Sequence, residues 1–148
     1  MGKYFSIEEL CKTSIQADNT PSEEITKHLE ELIQVLDDIR DKWTDFCNYR
    51  NIGNPAIRVN SGYRSVKVNK AVGGVPNSSH LSGYAVDIFP RNLQLIRLFS
   101  FLKRYLTEKD IPFDELIAEK IGGKIRWIHF SIKNSKGEQR KKILEINK

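Results

Sequence analysis

The sequence predicts an α+β domain in which helices pack on a largely antiparallel sheet. Apolar residues recur at helical spacing from Ile25 to Phe46, which predicts a helix of about 25 residues whose apolar stripe covers a sheet. Downstream, short apolar runs alternate with glycine and proline, a pattern typical of strands and turns. The pair Gly122-Gly123 separates two of these runs and indicates a β-hairpin.

Capping signals predict where the N-terminal helices begin. Ser6 with Glu9 has the spacing of a capping box and predicts a short helix over residues 7–15. For the long helix, Thr20 is the predicted N-cap and Pro21 the first helical residue.

The rest of the chain divides into short elements. Asn92 is the predicted cap of a helix that reaches about residue 108, and the tail from 135 is polar and basic with three apolar residues to attach it. The other predicted elements are strands at 57–60, 85–89, 113–119 and 124–132 and a helix at 66–71. We therefore predict one domain over residues 1–148, with a helical part (1–50), a core that carries the site (56–132) and a basic tail (133–148).

Composition limits the possible classes of protein. The 148 residues and 39% hydrophobic content suit one conventional core. Cys11 and Cys47 have no CxxC spacing and are expected to be ordinary thiols. The net charge of +5 permits polyanionic partners, although a solvated basic surface explains it as well.

The chain shows no secretory signal pattern and no apolar run of membrane-spanning length. We therefore expect synthesis in a cytoplasm, no membrane span and a monomer. Action on a structure outside that membrane would require release of the protein.

Two of the three histidines stand where packing explains them poorly. His28 lies mid-helix among charged residues and is expected to be exposed and ordinary, whereas His80 lies in a polar loop and His129 in a strand. Asp87 interrupts an apolar strand, where a carboxylate is costly to bury unless it is paired or bound to a cation. Two imidazoles and one carboxylate form a ligand set that zinc accepts, with the fourth position open. Separate structural roles for the three residues are the alternative.

The surrounding residues carry a family resemblance. Residues 79–87 spell S-H-x-x-G-x-A-x-D, and this segment resembles the zinc peptidases of the M15 family, which include D-alanyl-D-alanine carboxypeptidases, dipeptidases and phage endolysins. Residues 59–74, with Ser-Gly-Tyr-Arg-Ser and Gly-Gly, are similar to that family's segment before the first ligand. Residues 113–119 and 127–131 resemble its third block, so the likeness spans roughly residues 5–132.

The resemblance implies a hedgehog/DD-peptidase-like fold and a Zn²⁺ ion held by His80, Asp87 and His129. It implies that Arg64 lies near the substrate carbonyl or carboxylate, where a guanidinium can stabilise an oxyanion. Ser61 and Ser79 are expected to support the site by hydrogen bonding.

The general base is harder to assign. Many relatives carry an acidic residue three positions before the last histidine ligand, but Arg126 stands there in this chain. The resemblance shifts the role to Glu119, with Glu115 and Asp114 as fallbacks. Glu119 shares a sheet face with His129 only if paired residue numbers have an even sum, as with Ile121 opposite Ile125, and we predict that register.

The implied activity is zinc-dependent hydrolysis of peptidoglycan stem peptides, of the D-Ala-D-Ala carboxypeptidase or L-Ala-D-Glu endopeptidase type. The implied partner is a peptidoglycan peptide, and the implied place of action is the cell wall, after release by a phage or a bacterium. Two alternatives remain open: a zinc-binding domain of this fold without catalysis, as in the related hedgehog signalling domain, and a basic nucleic-acid-binding protein, which is not expected.

Overall fold

The structure is a computed structural model that describes residues 2–148. Within that range the chain forms helices, one 3₁₀ turn and one sheet. The helices are α1 (Ile7–Leu10), α2 (Glu23–Arg50), α3 (Val66–Ala71) and α4 (Leu95–Glu108), and the 3₁₀ turn is Ser79–Ser82. The strands are β1 (Ile57–Ser61), β2 (Ala85–Pro90), β3 (Glu115–Ile121), β4 (Lys124–Ser131) and β5 (Lys142–Asn147).

Helix α1 begins as predicted but is shorter. The Ser6 side chain accepts a hydrogen bond from the Glu9 amide, which confirms the cap. The helix ends at Leu10 rather than near residue 15. The Asn19 side chain donates to the Cys11 carbonyl at 2.8 Å, so this tertiary contact occupies a backbone acceptor of the next helical turn.

The prediction that Thr20 caps the long helix is wrong. The Thr20 amide donates to the Asp18 side chain at 3.0 Å in a local turn, and the Ser22 side chain accepts from the Ile25 amide instead. Helix α2 therefore begins at Glu23, and Pro21 lies before the helix. Both residues can cap, and the Asp18 turn decides between them.

Helix α4 also begins later than predicted. Asn92 accepts from the Gln94 amide at 3.1 Å and so closes a turn before the helix. Leu93 has a φ of 65°, a left-handed conformation that cannot belong to a helix. The first helical residue is consequently Leu95.

The sheet has the strand order β1-β2-β4-β3-β5. The first three pairings are antiparallel, which confirms the predicted α+β fold, but β5 adds a parallel strand at the edge of β3 and makes the sheet mixed. The tail joins the sheet because Asp114 is fully buried and accepts hydrogen bonds from the Arg140 amide and guanidinium. A buried carboxylate needs such partners, and the pairing aligns the residues that follow with β3.

The β3–β4 hairpin changes register along its length. Ile121 pairs with Lys124 across a two-residue turn in which Gly122 and Gly123 have φ values of 60° and 81°. The predicted pairing of Ile121 with Ile125 is therefore wrong at the turn. A bulge at Arg126 restores the predicted register, so Glu119 pairs with Trp127. As a result, Glu119 lies on the same face of the sheet as His129.

The two faces of the sheet have different roles. One face packs with α2 and α4 in a single core. Its strand residues are each at most 1% exposed: Val86, Ile88, Leu116, Ala118, Ile128 and Phe130. Strand alternation places Asp87, Glu119 and His129 on the opposite face, away from this core.

Truncation of a core residue on α4 should be costly. Leu102 is fully buried, and we expect Leu102→Ala to lower the free energy of unfolding by about 2–5 kcal/mol through lost burial and the cavity left behind. Ile96 on the same helix is 72% exposed, so Ile96→Ala should change it by less than about 0.5 kcal/mol. Urea denaturation of both variants measures the difference, and equal effects would contradict this packing.

Candidate metal centre

Three segments bring the predicted metal ligands together. His80 lies on the 3₁₀ turn, and Asp87 on β2 pairs directly with His129 on β4. One potential ligand atom from each of the three side chains lies within 4.8 Å of the others. Residues 49 positions apart in the chain thus meet at a single point on the open face of the sheet.

Hydrogen bonding determines which nitrogen of His80 faces Asp87. The ring is buried, and its Nδ1 lies 2.7 Å from the Gly62 carbonyl oxygen. Because a carbonyl only accepts, Nδ1 must carry the hydrogen, and in the neutral ring Nε2 then carries a lone pair. That Nε2 lies 3.4 Å from Asp87 Oδ1, so two acceptors face each other. A cation between them removes this conflict.

The spacing of these atoms suits a tetrahedral metal ion. His129 Nδ1 lies 3.2 Å from Asp87 Oδ1, close to the distance between His80 Nε2 and the same oxygen. Ligands placed 2.0–2.2 Å from a tetrahedral centre are about 3.3–3.6 Å apart. Two imidazole nitrogens and a carboxylate oxygen therefore fit a zinc ion, with one coordination position left for another group.

The ionisation of Asp87 and His129 is strongly coupled. Burial alone would raise the pKa of Asp87, but the hydrogen bond from His129, together with the nearby ring of His80, outweighs it and holds the pKa well below its usual range. Burial acts to lower the pKa of His129, but contacts with Asp87 and Glu115 outweigh it and raise the pKa to about 9. Without a metal ion, a proton on His129 therefore supplies the positive charge that Asp87 requires.

Arg64 contacts the site through Asp87. Its Nη2 lies 3.5 Å from Asp87 Oδ2, its Nε donates to Ser61 Oγ, and its Nη1 donates to Asn69 Oδ1. Three of the five N–H groups of a guanidinium are thus occupied and two remain for other partners. Arg64 lines a separate hollow of about 270 Å³ with Ser61 and Tyr63, rather than the cleft beside His129.

Two asparagines that sequence reasoning did not select hold this region in place. Asn19 donates to the carbonyls of Cys11 and Tyr63 and accepts from the Ser65 amide, which ties the loop after α1 to the loop of Arg64. Asn69 is buried between Arg64 and the Val75 carbonyl. A Cβ at Gly74 would lie 2.0 Å from the Asn69 oxygen, so this contact requires glycine there. In the sequence both asparagines stand near turn residues, and Asn69 also lies in the segment that resembles the M15 family.

The remaining predicted residues lie as follows. Ser61 accepts from Arg64, as expected of a supporting residue, and the Ser79 carbonyl accepts from the Ser82 hydroxyl. His28 is half-buried rather than exposed, with its Nδ1 2.7 Å from the Ser82 carbonyl and its ring stacked on Tyr84. Cys11 and Cys47 are free thiols.

The structure separates the three candidate carboxylates. Both oxygens of Asp114 bind Arg140, so Asp114 has a structural role. Glu115 Oε1 lies 3.7 Å from His129 Nε2, and the contact with His129 lowers the pKa of Glu115, which makes it a weaker base. Glu119 is buried, and its Oε1 accepts no hydrogen bond; Lys148 Nζ lies 3.5 Å away, at the distance of an ion pair.

Glu115 and Glu119 line a cleft beside His129. The cleft has a volume of about 470 Å³. Its walls include Glu115, Glu119 and His129 from the sheet, Val75 to Ser79 from the loop before His80, and polar residues from 134–140. Arg126, which replaces the acidic residue of many relatives, is exposed on the bulge. The candidate carboxylates that line the cleft therefore lie on β3, and not three positions before His129 on β4.

The chain belongs to the peptidase M15 family, since the family model matches residues 3–130. Within the chain, a stretch of 37 residues is 49% identical to a zinc D-Ala-D-Ala carboxypeptidase of Streptomyces albus G. That match covers 25% of this chain and 14% of the relative's length. Among the described residues, 2–148, there is no helix with the length and apolar character needed to cross a membrane.

Zinc uptake should release a proton. His129 is protonated below a pKa of about 9 in the metal-free protein, so at pH 7 it must lose that proton before Nδ1 can bind a metal ion. We expect the zinc affinity to rise about tenfold per pH unit up to that pKa. Titration calorimetry at pH 7 in buffers of different ionisation enthalpy measures the release. Zinc binding without proton release would contradict this description of the metal-free site.

Proposed function

We propose that this protein is a zinc-dependent peptidase that hydrolyses peptidoglycan stem peptides, as a D-Ala-D-Ala carboxypeptidase or an L-Ala-D-Glu endopeptidase. One observation carries the proposal: the ligand cluster of His80, Asp87 and His129 shares a sheet face with the buried carboxylate of Glu119, whose Oε1 accepts no hydrogen bond. The family supports a peptidase, and the relative from Streptomyces albus G supports zinc and a substrate that contains D-alanine.

In this proposal the three ligands supply one negative charge and two neutral nitrogens. A zinc ion held there would polarise the scissile carbonyl and lower the pKa of a water molecule from about 15.7 toward 7. Asp87 keeps its charge because its pKa is depressed, and His80 keeps Nε2 free because Nδ1 donates to Gly62. His129 is then the one ligand that must lose a proton before a metal ion binds.

Glu119 is the proposed general base. It pairs with Trp127, two residues before His129 on β4, so Glu119 and His129 are diagonal neighbours roughly 7–8 Å apart, with their Cβ atoms somewhat closer. A water molecule between Glu119 and the ligand cluster fits that separation. Glu119 would take the proton of this water and pass it to the leaving amine. Glu119 Oε1 accepts no hydrogen bond and has only the Lys148 ammonium 3.5 Å away, whereas contact with His129 lowers the pKa of Glu115 and makes it the weaker base, which supports Glu119 in this role.

Arg64 is the proposed anion-binding residue. Its contacts with Ser61, Asn69 and Asp87 hold the guanidinium still and leave two N–H groups for an oxyanion or a terminal carboxylate. Such a carboxylate is present in a carboxypeptidase substrate and absent at an internal bond. Because the substrate belongs to the cell wall, we propose that the protein acts there after release.

Mass spectrometry of purified peptidoglycan incubated with the zinc-loaded protein tests the function. Release of D-alanine identifies a carboxypeptidase, and cleavage between L-alanine and D-glutamate identifies the endopeptidase. An unchanged digest from a protein that binds zinc would instead indicate a zinc domain without catalysis.

Glu119→Gln should remove most hydrolysis and keep zinc. The amide has the shape of the carboxylate but cannot accept the proton of water, so we expect kcat to fall by roughly 100-fold or more. Glu108→Gln makes the same change at the exposed end of α4 and should leave kcat unaltered. Steady-state kinetics with zinc content measured for each variant gives the comparison. A wild-type kcat in Glu119→Gln would assign the base to another group.

Asp87→Ala should abolish the stabilisation that zinc provides. A ligand that binds only the folded state raises the melting temperature by mass action, so a chelator should lower the Tm of the wild-type protein. With Asp87 removed, two neutral imidazoles hold zinc weakly and the chelator should have little effect. Asp110→Ala, at an exposed carboxylate, should respond like wild type. Differential scanning calorimetry measures the shifts, and equal shifts in all three proteins would exclude Asp87 as a ligand.

A further inference from the structure

We propose that Glu115, held by Arg140, is a positioning residue that orients the ring of His129, so that the segment leading into β5 completes the metal site. This inference rests on the proposed function, because it assumes that His129 binds zinc. The Glu115 side chain enters the site from β3, and the Arg140 guanidinium comes from the tail.

The two nitrogens of His129 face two different carboxylates. Nδ1 lies 3.2 Å from Asp87 Oδ1, and Nε2 lies 3.7 Å from Glu115 Oε1, slightly longer than a hydrogen bond. Glu115 pairs with Ser131, so it is the diagonal neighbour of His129 on the same sheet face. The ring therefore lies between Asp87 and Glu115, and each carboxylate interacts with one nitrogen.

This arrangement determines which nitrogen can bind a metal ion. Carboxylates only accept hydrogen bonds, so in the metal-free ring each nitrogen carries a hydrogen toward its own carboxylate. A metal ion at the ligand cluster would replace the hydrogen on Nδ1, beside the Asp87 oxygen that His80 also faces, and Glu115 would retain the hydrogen on Nε2. Histidine ligands commonly use their second nitrogen in this way, and the partner fixes both tautomer and ring orientation. Without Glu115, Nε2 would face the open cleft and the ring would lose this restraint.

Arg140 restrains Glu115 in turn. Its Nη2 lies 3.6 Å from Glu115 Oε2, on the oxygen that does not face His129. Arg140 is itself held by Asp114, with an Nε–Oδ1 distance of 2.7 Å and an Nη2–Oδ2 distance of 2.8 Å. A planar guanidinium can bridge two carboxylates in this manner, which the single ammonium of lysine cannot reproduce. Glu115 is thereby kept beside His129 instead of turning into the ligand cluster.

The contacts run from the tail to the ligand cluster in an unbroken series. The same Arg140 that attaches the tail to the sheet also touches Glu115, and Lys142, two residues later, begins β5. Metal binding and docking of the tail are therefore linked through one side chain.

Zinc affinity and the tautomer of His129 test this inference in three variants of the full chain. In Glu115→Ala, zinc affinity measured by competition with a chromogenic chelator should fall about 10–100-fold. In Glu115→Gln, the amide oxygen can still accept from Nε2–H, so most of the affinity should return. Arg140→Lys keeps a cation for Asp114 but loses the bridge, and its affinity should lie between those of wild type and Glu115→Ala. Glu108→Ala, at an exposed carboxylate at the end of α4, is the matched control and should bind zinc like wild type.

Nitrogen-15 NMR of the zinc-loaded protein supplies a readout that loss of folding cannot mimic. We expect His129 to show a metal-bound Nδ1 and a protonated Nε2 in wild type and in Glu115→Gln, and a mixed signal in Glu115→Ala. Unchanged zinc affinity in Glu115→Ala, an equal loss in Glu115→Gln, or a metal-bound Nε2 in wild type would each overturn the inference. If wild type binds no zinc at all, the proposed function itself fails, which is a separate result.

Discussion

The structure depends on the charge of Asp87, a carboxylate that stands in an otherwise buried strand. Removal of such a charge from water is costly unless cationic partners and hydrogen-bond donors surround it. Here two imidazoles and one guanidinium approach it from three other segments: the 3₁₀ turn before β2, strand β4 and the loop after β1. The contacts of Gly62, Asn19 and Asn69 can be understood as support for those three partners, since each one fixes a loop that carries a residue facing Asp87.

The two faces of the sheet carry different parts of the molecule, the hydrophobic core and the candidate site. Its core face is apolar and packs with α2 and α4, whereas its other face carries the ligand cluster and the cleft. Strand alternation produces this division without any further device, because neighbouring residues of one strand point to opposite sides. The bulge at Arg126 interrupts this alternation with one extra residue in β4. Without that extra residue, the two-glycine turn would have put Glu119 and His129 on opposite faces of the sheet, and one of these polar side chains would have faced the apolar core.

The acidic residues 114, 115 and 119 are distinguished by their tertiary contacts. In the sequence Glu119 was the predicted general base, with Glu115 and Asp114 as fallbacks for the same role. In the structure Asp114 is neutralised by Arg140, Glu115 lies between Arg140 and His129, and Glu119 is left with an unbonded oxygen. Their partners come from residues 129, 140 and 148, so the difference between them is a tertiary property. The same reason explains why the tail was predicted as an appendage, since its three apolar residues gave a weak strand signal and the decisive contact was with Asp114.

The sequence by itself determined the element types, the α+β class, the family resemblance and the three residues of the ligand cluster. It could do so because helix and strand periodicities are local, and because an aspartate in an apolar strand is anomalous wherever that strand lies. Tertiary structure decided the element ends, the register beside Glu119, the parallel fifth strand and the surroundings of each carboxylate. Thr20 and Ser22 are equally good caps until Asp18 binds one of them, and Asn19 is an ordinary loop residue until Cys11 and Tyr63 come within its reach. Those outcomes depend on which groups compete for the same hydrogen bond, and that competition exists only in the folded chain.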